Sequence, residues 1–269
     1  MNTSNIINRE YKCLDHGFIR VVDVMGTDSS IVQAARVSYG AGTKTSSSDA
    51  GLINFLMRMR HTSPFEMCEI KLHIKLPIFI ARQWIRHRTA SVSEVSARYS
   101  IVGTDFYLPD HLYKQSNINK QCSSNETIPN ESELLEQMKQ CSIAAITQYN
   151  KLIDSGVSRE IARIILPLNM YTEWYWKIDL HNLLHFLQLR MASDAQNEIR
   201  VYADAILNMV KDWVPLTHFA FLNYRVNSIC ISSAGVDVVR NSIPKDCEFH
   251  SEKMSQRELN ELQNLFGHN

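Results

Sequence analysis

Arg86-His87-Arg88 is the densest group of potential ligand donors in this 269-residue chain. It is followed by Thr89-Ala90-Ser91-Val92-Ser93-Glu94-Val95-Ser96-Ala97-Arg98. Arg82 lies one helical turn before Arg86, so four arginines between positions 82 and 98 face a single acid, Glu94. Guanidinium groups grip phosphate oxygens with paired hydrogen bonds, and the serines add hydroxyl and backbone donors. The i, i+3, i+4 spacing of Gln83, Arg86 and His87 predicts one shared helical face, anchored by Ile78, Phe79, Trp84 and Ile85. This face is a candidate anion site. A solvated helix end and a contact with an RNA or DNA backbone are the alternatives. The nucleic-acid alternative lacks the interleaved aromatics of single-strand binders. Equal totals of 28 basic and 28 acidic residues lend it no support.

A second constellation lies about a hundred residues on. Leu183, Phe186, Leu187 and Arg190 fall at i, i+3, i+4 and i+7, so Arg190 continues the apolar face of a helix over 180–191. An unpaired buried cation is costly, so Arg190 either snorkels to water or faces a ligand. Upstream, Ser158 can cap a helix with Glu160 in its first turn and a stripe of Ile161, Ile164, Ile165 and Leu168. Arg163 sits off that stripe, and Pro167 should end the helix. His181 and His185, at i and i+4, have a zinc-ligand spacing. A zinc hydrolase would place a Glu directly after the first His; Asn182 stands there, and a third ligand would have to be Asp194, Glu198 or a distant residue.

The elements that must position these groups follow from periodicity. Phe18 to Met25 reads as a strand closed by Gly26. Asp28 or Ser29 can cap a helix through Ile31, Ala34, Ala35 and Val37, ending near Gly40. Ala41 to Asp49 reads as a loop, and Leu52, Phe55, Leu56 and Met59 as a helical stripe. His61 to Glu66 breaks that helix at Pro64. Cys68, Ile70, Leu72, Ile74 and Leu76 alternate with polar residues, which predicts a half-exposed strand. Pro77 suits the first position of a helix running to about His87. Positions 111–133 read as a polar surface insertion, Ser132 to Trp213 as helical almost throughout, and Glu252 to Phe266 as a short terminal helix. The expected architecture is α+β: an antiparallel sheet with flanking helices, then a largely helical C-terminal half. One domain is expected over 1–232, with a polar extension over 233–269.

Composition bounds the rest. Hydrophobic residues are 45% and charged residues 21% of the chain, which excludes a disordered, collagen-like or disulfide-scaffold chain. No apolar run approaches the roughly 20 residues of a membrane span. Met1 to Lys12 is polar and unlike a secretory leader. Six scattered cysteines, with no Cys-x-x-Cys pair, read as reduced thiols. A cytoplasmic protein is the expectation.

Arg86-His87-Arg88, seven residues, then Ser96-x-Arg98 resembles the signature of the flavin-dependent thymidylate synthases, the thymidylate synthase-complementing protein family. The segments Phe18 to Val37, His61 to Glu66, Leu76 to Ser100, Ser158 to Thr172 and Asp179 to Tyr202 resemble that family in the same order. The resemblance implies conversion of dUMP to dTMP, with 5,10-methylenetetrahydrofolate as carbon donor, FAD as hydride carrier and NADPH as reductant. It implies a homotetramer with active sites between subunits, and no metal. The implied dUMP contacts are Gln83, Trp84, Ile85, Arg86, Glu94, Val95, Ser96, Ala97, Arg98, Arg163 and Arg190. The implied FAD contacts are Ser63, Arg86, His87, Arg88, Glu94, Asp179, Leu180, His181 and His185. Arg190 is the expected catalytic cation, and no cysteine in these segments offers a thiol nucleophile. Val92-Ser93 stands where Tyr-Asn is more usual, Asp194 where a His is common, and Asp179 where an Asn is frequent. These departures bear on flavin binding rather than on the reaction class.

Overall fold

The computed structural model describes residues 6–37, 48–117, 119–244 and 247–266. Two compact units form, Met1–Val226 and Asn227–Asn269. The first holds strands β1 (Glu10–Cys13), β2 (Gly17–Met25), β3 (Glu69–Pro77), β4 (Ser91–Glu94), β5 (Tyr113–Gln115), β6 (Ser123–Thr127) and β7 (Tyr171–Asp179). Its helices are α1 (Asp28–Val37), α2 (Asp49–Arg58), α3 (Ser63–Glu66), α4 (Ile78–Trp84), α5 (Glu131–Asp154), α6 (Arg159–Ala162), α7 (Leu180–Arg190), α8 (Asn197–Trp213) and α9 (Pro215–Phe221). The second unit carries α10 (Ser233–Ser242), capped by the Ser232 hydroxyl, and α11 (Gln256–Phe266).

Five strands make one antiparallel sheet in the order β1-β2-β3-β7-β4. Along β3 the residues at Ile70, Leu72, Ile74 and Leu76 are buried, while Lys71, His73 and Lys75 lie on the opposite, half-exposed face. The alternation follows from the two-residue period of a strand. Register pairs Leu72 with Trp176 and Ile74 with Trp174, so β7 adds two indoles to the same buried face. Trp84 from α4 completes the cluster, its ring centroid 5.2 Å from Trp176 and 4.5 Å from Phe186 of α7. Removing a buried aromatic of this kind costs about 3–5 kcal/mol. This aromatic layer fixes α4 and α7 against the sheet and thereby sets where their C-terminal ends meet.

Several expectations are corrected. The span 132–213 is not continuously helical. Tyr171-Thr-Glu-Trp-Tyr-Trp-Lys-Ile-Asp179 is a sheet strand between β3 and β4, and its alternating burial is the two-residue pattern of β-structure. The polar insertion expected over 111–133 lies largely exposed and carries β5 and β6 as their own two-stranded sheet, and α5 starts within it at Glu131. Asp28 does not cap its own helix. Its carboxylate accepts from Leu216 N at 2.9 Å, Thr217 N at 3.0 Å and the Thr217 hydroxyl at 2.7 Å, capping α9 across the fold. Asp49 is the first residue of α2, with Ser48 as the cap. His61 to Glu66 ends α2 as expected but folds into the single turn of α3, with Pro64 in its first turn. The expected end of α1 near Gly40 and the loop from Ala41 to 47 lie outside the described residues. Gly26 sits at φ +81°, and a Cβ there would come within 2.6 Å of Cys68 Sγ, so the turn out of β2 requires glycine.

Candidate active site

Helix α4 stops at Trp84, earlier than the expected His87. Beyond it the chain tightens: Arg86 N donates to Gln83 O and His87 N to Trp84 O at 3.0 Å. Gln83, Arg86 and His87 therefore do not share a helical face. Arg86 and Arg88 are exposed, and His87 turns inward. Its ring packs edge-on against Phe186, 4.9 Å between centroids, with His185 at 6.0 Å.

Helix α7 supplies the partner. Its N-terminus is capped by Asp179, whose carboxylate accepts from Asn182 N at 2.9 Å and from Asn182 Nδ2 at 2.7 Å. Leu183, Phe186 and Leu187 are buried, and Arg190 ends the same stripe half-buried. Arg190 Nε donates to His87 Nε2 at 3.0 Å. An arginine cannot accept, so Nε2 of His87 is unprotonated and the imidazole is neutral. Burial first, then the neighbouring Arg190 and His185, push the His87 pKa down to about 4. Burial lowers the Arg190 pKa too, though guanidinium stays charged. The cation is thus held by a neutral acceptor, and among the described residues no carboxylate pairs with it. On the flank, the Gln83 amide donates to the Gln196 side-chain carbonyl.

A second group forms around β4. Glu94 accepts from the Thr172 hydroxyl at 2.6 Å. Ser96 Oγ accepts from Arg98 N at 3.3 Å, and the Arg98 guanidinium pairs with Glu160 of α6 at 3.5 Å. Arg159 donates to Tyr99 O at 2.6 Å, tying this loop to α6, which ends at Ala162; Arg163 opens a 3₁₀ turn over Arg163–Ile165, so the helix expected to run to Pro167 stops short. Arg163 itself is exposed. Around it the predicted apolar stripe is not buried: Ile161, Ile164 and Leu168 are 53%, 73% and 58% exposed. Val95, Tyr99 and Ile101 are exposed as well.

Two cavities accompany these groups. The larger, about 380 Å³, is lined by His61, His181 and His185, with Thr62, Gln188, Arg60 and Arg225 and an apolar wall that includes Leu184 and Phe221. The smaller, about 260 Å³, is lined by Val95, Ser96 and Ala97 and by Tyr171, Thr172 and Glu173 of β7. Neither is lined by Arg86, Arg163 or Arg190. Trp84 and Leu180 have fully buried side chains, so only their backbone can reach a ligand. Ile85 is exposed, and Ser63 is an exposed residue at the start of α3, next to Thr62 of the cavity wall. Among the described residues no group of three or more His, Cys, Asp or Glu side chains is placed to hold a metal ion, so His181 and His185 have no third metal ligand there.

Sequence reasoning missed Arg60, Thr62, Gln188 and Arg225 of the larger cavity, and Gln196 and Thr172 as partners of Gln83 and Glu94. Thr172 was legible in principle, because it sits in the period-two run of β7.

An antiparallel sheet flanked by helices, with Arg190 meeting His87 at the ends of α7 and α4 and a cavity lined by imidazoles and guanidiniums beside an apolar wall, defines an α+β protein with a cation-rich candidate site. The family model described as thymidylate synthase complementing protein matches residues 20–216, and the chain belongs to that family. It is 54% identical to the flavin-dependent thymidylate synthase of Rickettsia prowazekii (strain Madrid E), over 95% of this chain and 92% of that one. Identity is likewise 54% to the flavin-dependent thymidylate synthase of Wolbachia pipientis wMel, over 97% and 93%. Among solved structures it resembles the UMP/dUMP methylase PolB from Streptomyces cacaoi bound with 5-Br dUMP. The TM-score is 0.72 at 32% identity, covering 80% of this chain and 99% of that one.

Proposed function

We propose that this chain catalyses the reductive methylation of dUMP to dTMP, with 5,10-methylenetetrahydrofolate as carbon donor, FAD as hydride carrier and NADPH as reductant. The observation that carries this reading is the Arg190–His87 hydrogen bond, which brings a remote helix end to the Arg-His-Arg segment. For C5 of uracil to attack a one-carbon unit, negative charge must develop at N3 and O4. A cation held in a partly dry site stabilises that charge. Arg190 is held by a neutral imidazole, so its charge is available to substrate, and it is the catalytic residue in this reading.

The other roles follow the motif. Gln83, Ile85, Arg86, Val95, Ala97 and the Trp84 backbone border dUMP, with Glu94, Ser96, Arg98 and Arg163 on its polar edges. Ser63, Arg86, His87, Arg88, Glu94, His181, His185 and the Asp179-Leu180 turn border FAD. The residues around the larger cavity fit a flavin nucleotide: they offer imidazole, guanidinium and amide donors against an apolar wall, with no carboxylate among them. When bound, FAD relays hydride from NADPH to the new methyl group. Cys13 and Cys68 are buried and hold their thiol pKa values at about 12 and about 11, far from thiolate chemistry at neutral pH.

The assembly in this reading is a homotetramer with active sites shared between subunits. Support comes from the exposed apolar residues around Arg163. The catalytic domain spans 1–232 and the extension 233–269. The protein works in the cytoplasm, without nucleic-acid or membrane partners; among the described residues no helix is long and apolar enough to cross a bilayer. The test is the purified protein: it is yellow, and dUMP, 5,10-methylenetetrahydrofolate and NADPH together yield dTMP. A colourless protein that neither binds added FAD nor oxidises NADPH overturns the reading.

A further inference from the structure

The two arginines of the larger cavity, Arg60 and Arg225, have no individual role in the assignments above. Among the described residues the cavity walls carry Arg60, Arg225, His61, His181 and His185, and no aspartate or glutamate. Arg60 lies between α2 and α3 at φ +59°, a left-handed conformation uncommon outside glycine. Arg60 is exposed, and among the described residues its side chain makes no ion pair or hydrogen bond. Arg225 sits in a π-helical turn, Leu222–Val226, directly after α9. Such turns are rare and recur at functional sites. One edge of its guanidinium is pinned, Nη2 donating to Met57 O at 2.8 Å, which leaves other N–H groups free to serve a ligand. Burial and the proximity of Arg60 both lower the Arg225 pKa. Like charges brought together without an acid are an unfavourable arrangement that a bound anion relieves.

We propose that Arg60 and Arg225 form a clamp for a phosphate group of a nucleotide cofactor at the mouth of the larger cavity. The pinned guanidinium supplies direction, and the exposed one closes from the solvent side. The clamp rests on the flavoenzyme reading given above. The phosphate can come from the diphosphate of FAD or from the 2′-phosphate that distinguishes NADPH from NADH, and the two sources separate experimentally.

The purified full chain, freed of flavin by dialysis, is titrated with FAD, FMN and riboflavin by fluorescence quenching. NADPH and NADH are compared as reductants of the reloaded enzyme. Arg60→Gln and Arg225→Met should each weaken FAD binding about tenfold, the scale of one lost charge-assisted contact. They should leave riboflavin unchanged and flatten the salt dependence. Arg225→Lys should retain part of the affinity. If the clamp serves NADPH instead, FAD affinity stays constant while the KM for NADPH rises about tenfold and that for NADH does not. Wild-type affinity for both cofactors in both variants overturns the clamp. So does an equal loss of riboflavin and FAD, which would place the effect on the ring site or the fold. Arg60 is exposed, so its variant keeps the test valid if Arg225→Met misfolds. A wild-type chain that binds no flavin fails the parent reading as well, an outcome distinct from wild-type binding that the substitutions leave untouched.

Discussion

The two arginine-bearing segments, α7 and the stretch 159–168, share an apolar stripe in sequence and differ in what surrounds them; only α7 is helical throughout. In α7 the apolar stripe Leu183, Phe186, Leu187 is buried and Arg190 at its end meets a partner from the same chain. In 159–168 the stripe Ile161, Ile164, Leu168 is exposed and Arg163 faces solvent. An amphipathic pattern predicts that a face will be covered and is silent on which chain covers it. Helix α7 is finished by intramolecular packing. The 159–168 segment leaves its apolar side chains uncovered within the chain, and in the proposed homotetramer another copy would cover them.

The sharpest way to break this contrast is at the arginines. Arg190→Ala should lower kcat by about 10²–10³, the usual cost of removing one preorganised charge-stabilising donor, with an unchanged circular dichroism spectrum. Near-normal turnover would remove Arg190 from the chemistry. Arg163→Ala should act on binding, raising the KM for dUMP about tenfold with kcat little altered. Between the stripes the expected effects also cross over. Leu183→Ala should cost about 2–5 kcal/mol of stability. Ile164→Glu should leave the fold intact and shift the particle mass seen by light scattering toward smaller species. An unchanged mass for Ile164→Glu would mean that the exposed stripe is not a subunit interface.

The same contrast explains what the sequence made legible. Strand β3 and helix α7 were readable because their periods of two and 3.6 are satisfied locally, by a sheet face and a core stripe. Strand β7 resembles a buried helical run in sequence because it packs two indoles and two tyrosines into nine residues, and only its alternating burial marks it as a strand. The end of α4 was misplaced by three residues: nothing in Ile85-Arg86-His87 forbids helix, and the early stop comes from His87 turning onto Phe186. Arg190 as an inward cation was readable, while its partner was not, since His87 lies 103 positions away. Arg60 and Arg225 escaped notice because neither stands in a motif. Only the fold places them on one cavity.

Substitutions at His87 sharpen the comparison with a smaller expected effect. His87→Ala removes the acceptor for Arg190 Nε and should reduce turnover several-fold. His87→Gln, whose carbonyl can stand near Nε2, should recover part of it. The pH dependence has a definite sign. The folded pKa of about 4 lies below the ordinary histidine value of 6.5, so between those values the unfolded chain binds the extra proton. Wild-type stability should therefore fall as pH drops from about 6.5 to about 4, and His87→Gln should show a shallower fall there in urea melts. An equal slope in both proteins would assign the acid sensitivity to other groups.

The smallest effect belongs to Asp179, where two roles can be told apart. Its carboxylate caps α7 through Asn182 N and Asn182 Nδ2, and the family resemblance also puts it beside the flavin. Asp179→Ala removes the cap and should cost about 1 kcal/mol, a shift of about 2–4 °C in Tm for a unit of this size. Asp179→Asn keeps a capping oxygen of nearly equal quality, so its Tm should match wild type. The neutral amide also removes a negative charge from a site that must accept a flavin nucleotide. If the carboxylate lies close to the cofactor, Asp179→Asn binds FAD more tightly at constant Tm. If it serves the helix alone, FAD affinity and Tm are both unchanged, and only the alanine variant moves, in stability before activity.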